Sequence, residues 1–209
     1  KKGDLAKFRY LHFATHGEAN NVKAFDSKLI LAQDQPKELL AKPGEPWLNN
    51  ELSAREVLEY WKLDAELVTL SACETALGKS GGGDGLLGFA QAFLLAGSRS
   101  VCLSLWKVDD TATALLMDRF YRNLLGKRDG LAKPMGKAAA LSEAKNWLKN
   151  LSLEEATTRL GVITEGVSRG GKTGRNVIGD VPMNKDAKDA KPYSHPKYWA
   201  AFILIGDPD

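Results

Sequence analysis

Apolar runs alternate along the chain with segments of helical periodicity. Five apolar runs bounded by polar or turn-forming residues predict β-strands, at residues 8–17, 27–32, 66–72, 99–106 and 198–206. Residues 66–72 are apolar almost throughout, which is typical of a parallel strand covered on both faces. Because helical segments separate most of these runs, we expect an α/β fold around a mainly parallel sheet.

Four segments carry the apolar periodicity of helices, at residues 52–63, 84–97, 109–126 and 134–151. The sequence also predicts where the first of these helices begins. Ser53 and Glu56 have the spacing of a capping box, and Leu52 and Val57 have that of a hydrophobic staple. Residues 84–97 are apolar almost all round, which indicates a buried helix that Gly97 ends.

The composition changes near the carboxyl terminus of the chain. Residues 168–197 are rich in Gly, Lys, Asp, Asn and Pro and have little periodicity. We therefore expect one domain over residues 1–209, with a long polar loop inserted at 168–197.

Composition and charge restrict the class of protein. The 209 residues are 44% hydrophobic and carry a formal net charge of +3, well below the basic excess of a nucleic-acid binder. The apolar runs are too short for a bilayer, so no membrane partner is expected. Two cysteines do not form a disulfide framework, which favours a reducing, cytoplasmic location. The opening residues, KKGDLAKF, indicate an internal cut in a longer chain.

Two chemically active side chains follow predicted strands. His16 ends the first run, and Cys73 follows the run 66–72. Sites of parallel α/β sheets gather beyond the carboxyl ends of the strands. A histidine 57 residues before a cysteine fits a cysteine peptidase. Cys102, within a predicted strand, is expected to be core. His12 is expected to be structural, and His195 is expected to be a loop residue before the last strand.

Two other motifs leave alternatives open. GDGLLG at 83–88 has the letters of a dinucleotide fingerprint, but its glycines follow the strand too late, so a mobile loop over residues 81–85 is favoured. Asp109 and Asp110 begin a predicted helix. One reading makes them N-capping residues; the other makes one carboxylate part of an anionic pocket for a basic substrate side chain, with Asp84 as a weaker candidate.

Several motifs in order resemble the CHAT domain, a caspase- and separase-like cysteine peptidase often fused to tetratricopeptide repeats. They are FATHG, LVTLSACETALG, GDGLLGFAQAFLLAGSRSVCLSLWKVDDTAT, LMDRFY and HPKYWAAFILIGD. The resemblance implies a caspase-like three-layer sandwich with His16 and Cys73 as the catalytic dyad. The segment LWKVDD resembles separase, which implies that Asp110 receives a basic substrate side chain, with Asp109 and Trp106 beside it.

The resemblance also implies a function. We expect a bacterial-type endopeptidase that cleaves protein substrates, gated by a tetratricopeptide-repeat or other regulatory domain, with no metal and no cofactor. The backbone N–H groups of Gly17 and Cys73 are expected to form its oxyanion hole. Because the chain begins close to the first catalytic strand, we expect it to lack the family's earlier strands, which would leave a sheet edge exposed. The alternative function is a non-catalytic caspase-like module that binds peptides or proteins.

Overall fold

A computed structural model describes residues 4–20, 22–31, 50–71, 84–164 and 191–209. Predictions that fall on other residues, among them Cys73 and most of the loop 168–197, lie outside the described residues. The chain forms two compact units. The first comprises residues 1–107 and 202–207, and the second comprises residues 108–201 and 208–209.

The regular elements follow one another in the order that the sequence pattern predicts, with additions. The strands are β1 (Tyr10–Phe13), β2 (His16–Glu18), β3 (Lys28–Ile30), β4 (Glu51–Ser53), β5 (Leu67–Leu70), β6 (Ser100–Ser104) and β7 (Phe202–Gly206). The helices are α1 (Ala54–Tyr60), α2 (Asp84–Leu95), α3 (Asp110–Leu124), α4 (Lys137–Asn150), α5 (Leu153–Thr164) and α6 (Pro196–Trp199), with short 3-10 helices at Asp4–Lys7 and Ala24–Asp26.

The first unit contains a four-stranded sheet in the order β1-β5-β6-β7. The first three strands are parallel, and β7 is antiparallel to β6. A second sheet has the antiparallel order β2-β3-β4. The prediction of an α/β fold around a mainly parallel sheet is confirmed.

The single strand predicted at 8–17 is wrong in one respect. The chain leaves the main sheet after Phe13 and enters the small sheet at His16. At the break, the hydroxyl of Thr15 donates a hydrogen bond to the carbonyl oxygen of Ile30. His16 is therefore the first residue of β2, opposite Ile30, rather than the last residue of β1.

One face of the main sheet packs on α1 and α2. Alternate residues of the four strands point to this face, because successive side chains of a β-strand point to opposite faces of the sheet. They form one core cluster with the two helices: Leu11, Phe13, Val68, Leu70, Val101, Leu103, Ile203, Ile205, Val57, Phe89 and Phe93. The ring of Phe13 lies 5.7 Å from that of Phe93 and 6.1 Å from that of Trp61. This aromatic packing fixes the carboxyl end of β1.

The local signals at two helix ends are confirmed. Ser53 and Glu56 form the predicted capping box at the start of α1, with each side chain accepting from the other's backbone N–H at 3.1 and 2.7 Å. Gly97 ends the buried α2 segment with a φ of 114°. A Cβ there would lie 2.2 Å from the carbonyl oxygen of Leu63, so only glycine fits.

In the second unit, α3 packs against α4, α5 and α6. Helix α5 was not predicted, although Ser152 and Glu155 form a capping box at its start. The strand predicted at 198–206 is also too long. Pro196 begins the short α6, and the ring of His195 caps it by accepting from the N–H of Lys197 at 3.1 Å.

A candidate active site at the carboxyl ends of the parallel strands

The three parallel strands of the main sheet end at one edge. Phe13 of β1 is the register partner of Leu70 of β5, which in turn is the partner of Leu103 of β6. All three side chains are anchored in the core cluster below the sheet. The residues that follow these strands therefore leave the sheet side by side, where parallel α/β proteins form their sites.

A hydrogen bond connects the first two strands at this edge. The Nε2 of His12 lies 2.8 Å from the Oγ of Ser71, the residue that directly follows β5. The N–H of Ser71 also donates to the carbonyl oxygen of Phe13 at 3.0 Å, continuing the strand pairing. Part of the His12 side chain is exposed, but burial by the surrounding chain still lowers the pKa of its imidazole below 6.5.

The histidine expected in the dyad is accessible. His16 is exposed at the start of β2, and its imidazole makes no hydrogen bond or ion pair with any residue that the structure describes. Gly17, the residue expected to donate to an oxyanion, is buried and pairs with Leu29 of β3. An exposed, unbound imidazole next to a buried glycine suits proton transfer at a surface site.

Cys73 lies outside the described residues. The described chain reaches Ser71, two residues before it. Ser71 was not among the predicted site residues. The signal that could have found it is its position, because the first residue after a buried parallel strand lies at the sheet edge that carries sites.

The third strand brings Trp106 and Cys102 to different environments. Trp106 is half-buried, two residues after the end of β6. Cys102 is fully buried inside β6, where it pairs with Thr69 on one side and Leu204 on the other. The prediction that Cys102 is a core residue is confirmed.

The acidic candidates have distinct positions. The Oδ1 of Asp109 accepts a hydrogen bond from the N–H of Ala112 at 2.8 Å, so Asp109 is the N-cap of α3. Asp110 is exposed in the first turn of the same helix. Both belong to the second unit. Asp84 is the first residue of α2, in the first unit.

A buried tyrosine lies near the start of α3. The Tyr193 hydroxyl is fully buried and has no hydrogen-bond partner in the described chain. Burial, followed by the negative charge of Asp109 and the nearby Tyr198, raises the pKa of the Tyr193 phenol far above its ordinary value. The phenol is therefore neutral at physiological pH and unsuited to serve as a base.

In the part of the chain that the structure describes, the His, Cys, Asp and Glu side chains form no group of three or more that could hold a metal ion. None of its helices is long and apolar enough to cross a membrane.

The mainly parallel sheet with helices packed on its face fits a caspase-like α/β fold. The CHAT domain family matches this chain over residues 3–207, and the chain belongs to that family. It is also similar to tetratricopeptide repeat protein 28 of Mus musculus, with 30% identity over 155 residues, and to the Homo sapiens protein of the same name, with 28% identity over 155 residues. Each alignment covers 74% of this chain and 4% of the relative.

Proposed function

We propose that this protein is a cysteine endopeptidase that uses His16 and Cys73 as a catalytic dyad. One observation carries the proposal. Phe13 and Leu70 are register partners on adjacent parallel strands, and His16 and Cys73 each follow one of them by three residues. Because the same number of residues follows each of these paired positions, the spacing supports a histidine and a cysteine at one edge of the sheet. Membership of the CHAT family supports a peptidase-related fold.

The reaction follows from the chemistry of these two side chains. His16 takes the proton of the Cys73 thiol, and the thiolate sulfur adds to the scissile carbonyl carbon. The N–H groups of Gly17 and Cys73 donate to the resulting oxyanion. The C–N bond then breaks as His16 returns the proton to the leaving amine, which leaves a thioester. Water, deprotonated by His16, hydrolyses the thioester and regenerates the thiol.

The dyad needs no further orienting group in this proposal. The imidazole of His16 is bonded to no carboxylate in the described chain, so its ring is free to turn between sulfur and leaving nitrogen. The reaction also needs Cys73 as a thiol, from which we infer a reducing compartment such as the cytoplasm.

Substrate choice would depend on an acidic side chain at the start of α3. We assign the recognition of a basic side chain before the cleaved bond to Asp110, whose exposed carboxylate is not occupied by helix capping. Asp109 already accepts the N–H of Ala112, which leaves it less suited to the same task.

We also propose regulation by tetratricopeptide repeats, since both curated relatives bear that name. The chain spans about 4% of the length of those relatives, so a repeat array elsewhere in a longer protein would have room to control the peptidase.

Labelling with peptidyl chloromethyl ketones tests the proposal. The folded chain is treated with an arginine-bearing and with a leucine-bearing reagent, and the labelled cysteine is identified by peptide mapping. Cys102 is an internal control, because its fully buried thiol should stay unlabelled until the chain is denatured. We expect Cys73 to be labelled, and the His16→Ala variant to lose that labelling.

Each outcome separates the possible functions. Labelling of Cys73 by both reagents keeps the peptidase and removes the basic-pocket assignment. Labelling that survives His16→Ala removes the dyad. Absence of Cys73 labelling, with substrate peptides recovered intact, favours the non-catalytic binding module over the enzyme.

A further inference from the structure

Four arginine side chains line one pocket of the helical second unit, whose volume is about 190 Å³. Arg119 and Arg122 belong to α3, Arg128 to the turn that follows it, and Arg159 to α5. Trp147 of α4 also lines the pocket. So many guanidinium groups around a small volume are a common feature of sites that bind oxyanions.

Two of the arginines are fixed by carboxylates. Arg119 donates through Nε and Nη2 to Glu143 at 3.0 and 2.5 Å, and its guanidinium lies 5.1 Å from the centre of the Trp147 ring. Arg159 donates through Nε to the Oδ2 of Asp118 at 2.7 Å, and its Nη2 lies 2.6 Å from the same oxygen. The bidentate pair with Glu143 and the ion pair with Asp118 hold the two guanidinium groups in place before any ligand arrives.

Arg128 is fixed differently, by a neutral group. Its Nε donates to the side-chain oxygen of Asn123 at 2.6 Å, and Asn123 is fully buried. Arg128 forms no ion pair within the described residues, and its two terminal amino groups have no hydrogen-bond partner there. It therefore presents an oriented positive charge with unused donors to the pocket.

The charge balance of the pocket is positive. Four guanidinium groups face the carboxylates of Asp118, Asp129 and Glu143, which leaves an excess of one positive charge. One pair, Arg122 with Asp129, is long at 3.5 Å, and the Asp129 side chain is fully exposed. Such a pair contributes little, so Arg122 is also available to a ligand.

We propose that this pocket binds a phosphate group, either as the free ion or on a small phosphomonoester such as a phosphoserine side chain. A phosphate offers three oxygens to several guanidinium donors, which a single carboxylate does not. The volume suits a phosphate with a short side chain. None of the pocket residues belongs to the proposed dyad, so a failure of phosphate binding would leave the peptidase proposal intact.

Calorimetric titration of the whole chain tests the proposal, with inorganic phosphate, O-phosphoserine and acetate as probes. Arg128→Gln removes the unpaired guanidinium at similar size, and Lys127→Gln is the matched control, because Lys127 is exposed next to it but does not line the pocket. We expect phosphate to bind more tightly than acetate, Arg128→Gln to weaken binding at least about tenfold, and Lys127→Gln to have little effect.

The outcomes support or overturn the proposal. Equal affinity for phosphate and O-phosphoserine indicates the free ion, and tighter binding of O-phosphoserine indicates a phosphorylated side chain. No heat with either phosphate probe, equal binding of acetate, or equal losses in Arg128→Gln and Lys127→Gln overturns it. If circular dichroism shows that Arg128→Gln does not fold, Arg122→Gln takes its place, since its weak surface pair is not needed for folding.

Discussion

The Nε2 of His12 and the Oγ of Ser71 lie 2.8 Å apart, which ties β1 to the first residue after β5. This hydrogen bond is at the sheet edge from which the chain continues toward both members of the proposed dyad. If the proposed dyad is correct, we expect His12 to position the chain near the site rather than to donate a proton to the substrate.

Replacing Ser71 tests this connection. Ser71→Ala removes the hydroxyl that His12 binds, and we expect the free energy of unfolding to fall by about 1 kcal/mol. Ser194→Ala is the control, because the Ser194 side chain is exposed and forms no hydrogen bond in the described chain. Urea denaturation of both variants provides the measurement. Equal stability of the two would show that the His12 bond contributes nothing.

The lowered pKa of His12 predicts a pH dependence of stability. Burial favours the neutral imidazole in the folded state, so the unfolded chain binds more protons once the pH falls through 6.5. The free energy of unfolding should therefore decline as the pH falls from 6.5 to the pKa of His12 in the folded state. Below that pKa, protonation of His12 should change it no further. NMR titration of the imidazole gives the pKa, and denaturation between about pH 7 and pH 5 gives the slope.

A His12→Gln variant is the reference for that slope, since it cannot titrate in this range. A wild-type slope no steeper than that of the variant would contradict the prediction.

Glu143 affects stability in a separate, more acidic pH range. Burial raises its pKa, but hydrogen bonds from Arg119 and Asn123 and the charges of Arg119 and Arg128 outweigh burial, so its contribution is lost only below 4.5.

Two glycines should respond to alanine in opposite ways. At Gly97 the φ of 114° and the nearby Leu63 carbonyl forbid a Cβ, so Gly97→Ala should cost about 2 kcal/mol or more. Gly161 lies in α5 with open space around its Cα, so Gly161→Ala should stabilise the chain by about 0.5–1 kcal/mol. Thermal denaturation of the pair checks both signs at once.

Asn123 should be a sensitive position of the second unit. Its buried amide donates to the carbonyl oxygen of Ala140 at 3.3 Å and to Glu143, and it accepts from Arg128. Asn123→Ala removes all three hydrogen bonds and should lower stability on the order of 2 kcal/mol. Asn146→Ala, on the exposed face of α4, should change it by a few tenths of a kcal/mol at most. Similar losses in both variants would refute a special role for Asn123.

The two adjacent aspartates separate capping from substrate recognition. Asp109→Asn and Asp110→Asn each remove one charge, and asparagine still caps a helix. If Asp110 receives a basic side chain, Asp110→Asn should reduce the arginine-to-leucine labelling ratio at Cys73 about tenfold, while Asp109→Asn leaves it nearly unchanged. Asp109→Ala, which loses the cap on α3, should instead lower stability by about 1 kcal/mol. The reverse pattern would transfer the recognition role to Asp109.

Local signals were sufficient for most of the fold. The capping box of Ser53 and Glu56 and the stop at Gly97 depend on neighbours in the chain, and both were predicted from residue type and spacing. The break before His16 depends on Thr15, between the two sheets, donating a hydrogen bond to Ile30 of β3, and no local pattern carries that information. Helix α5 was not predicted, although Ser152 and Glu155 have the spacing of a capping box at its start.

The features of the site also differ in how far the sequence could predict them. His16 was predicted to end the first strand but begins β2, and the roles of His16 and Cys73 stay predictions. The contact between His12 and Ser71 required the register of β1 on β5, which residue patterns do not specify. The arginine pocket likewise depends on how three helices pack, since its residues are spread over 42 positions of the chain from Asp118 to Arg159.

The pairing of Phe13 with Leu70 limits how the domain can change in length. An insertion of one residue after either strand would lengthen the segment that leads to one residue of the proposed dyad and leave the other segment unchanged. We expect the core side chains to stay in place. Such a variant should fold and yet lose its reaction. Related domains that retain the strands but differ in these two short segments would then be sorted into peptidases and inert scaffolds by chain length alone.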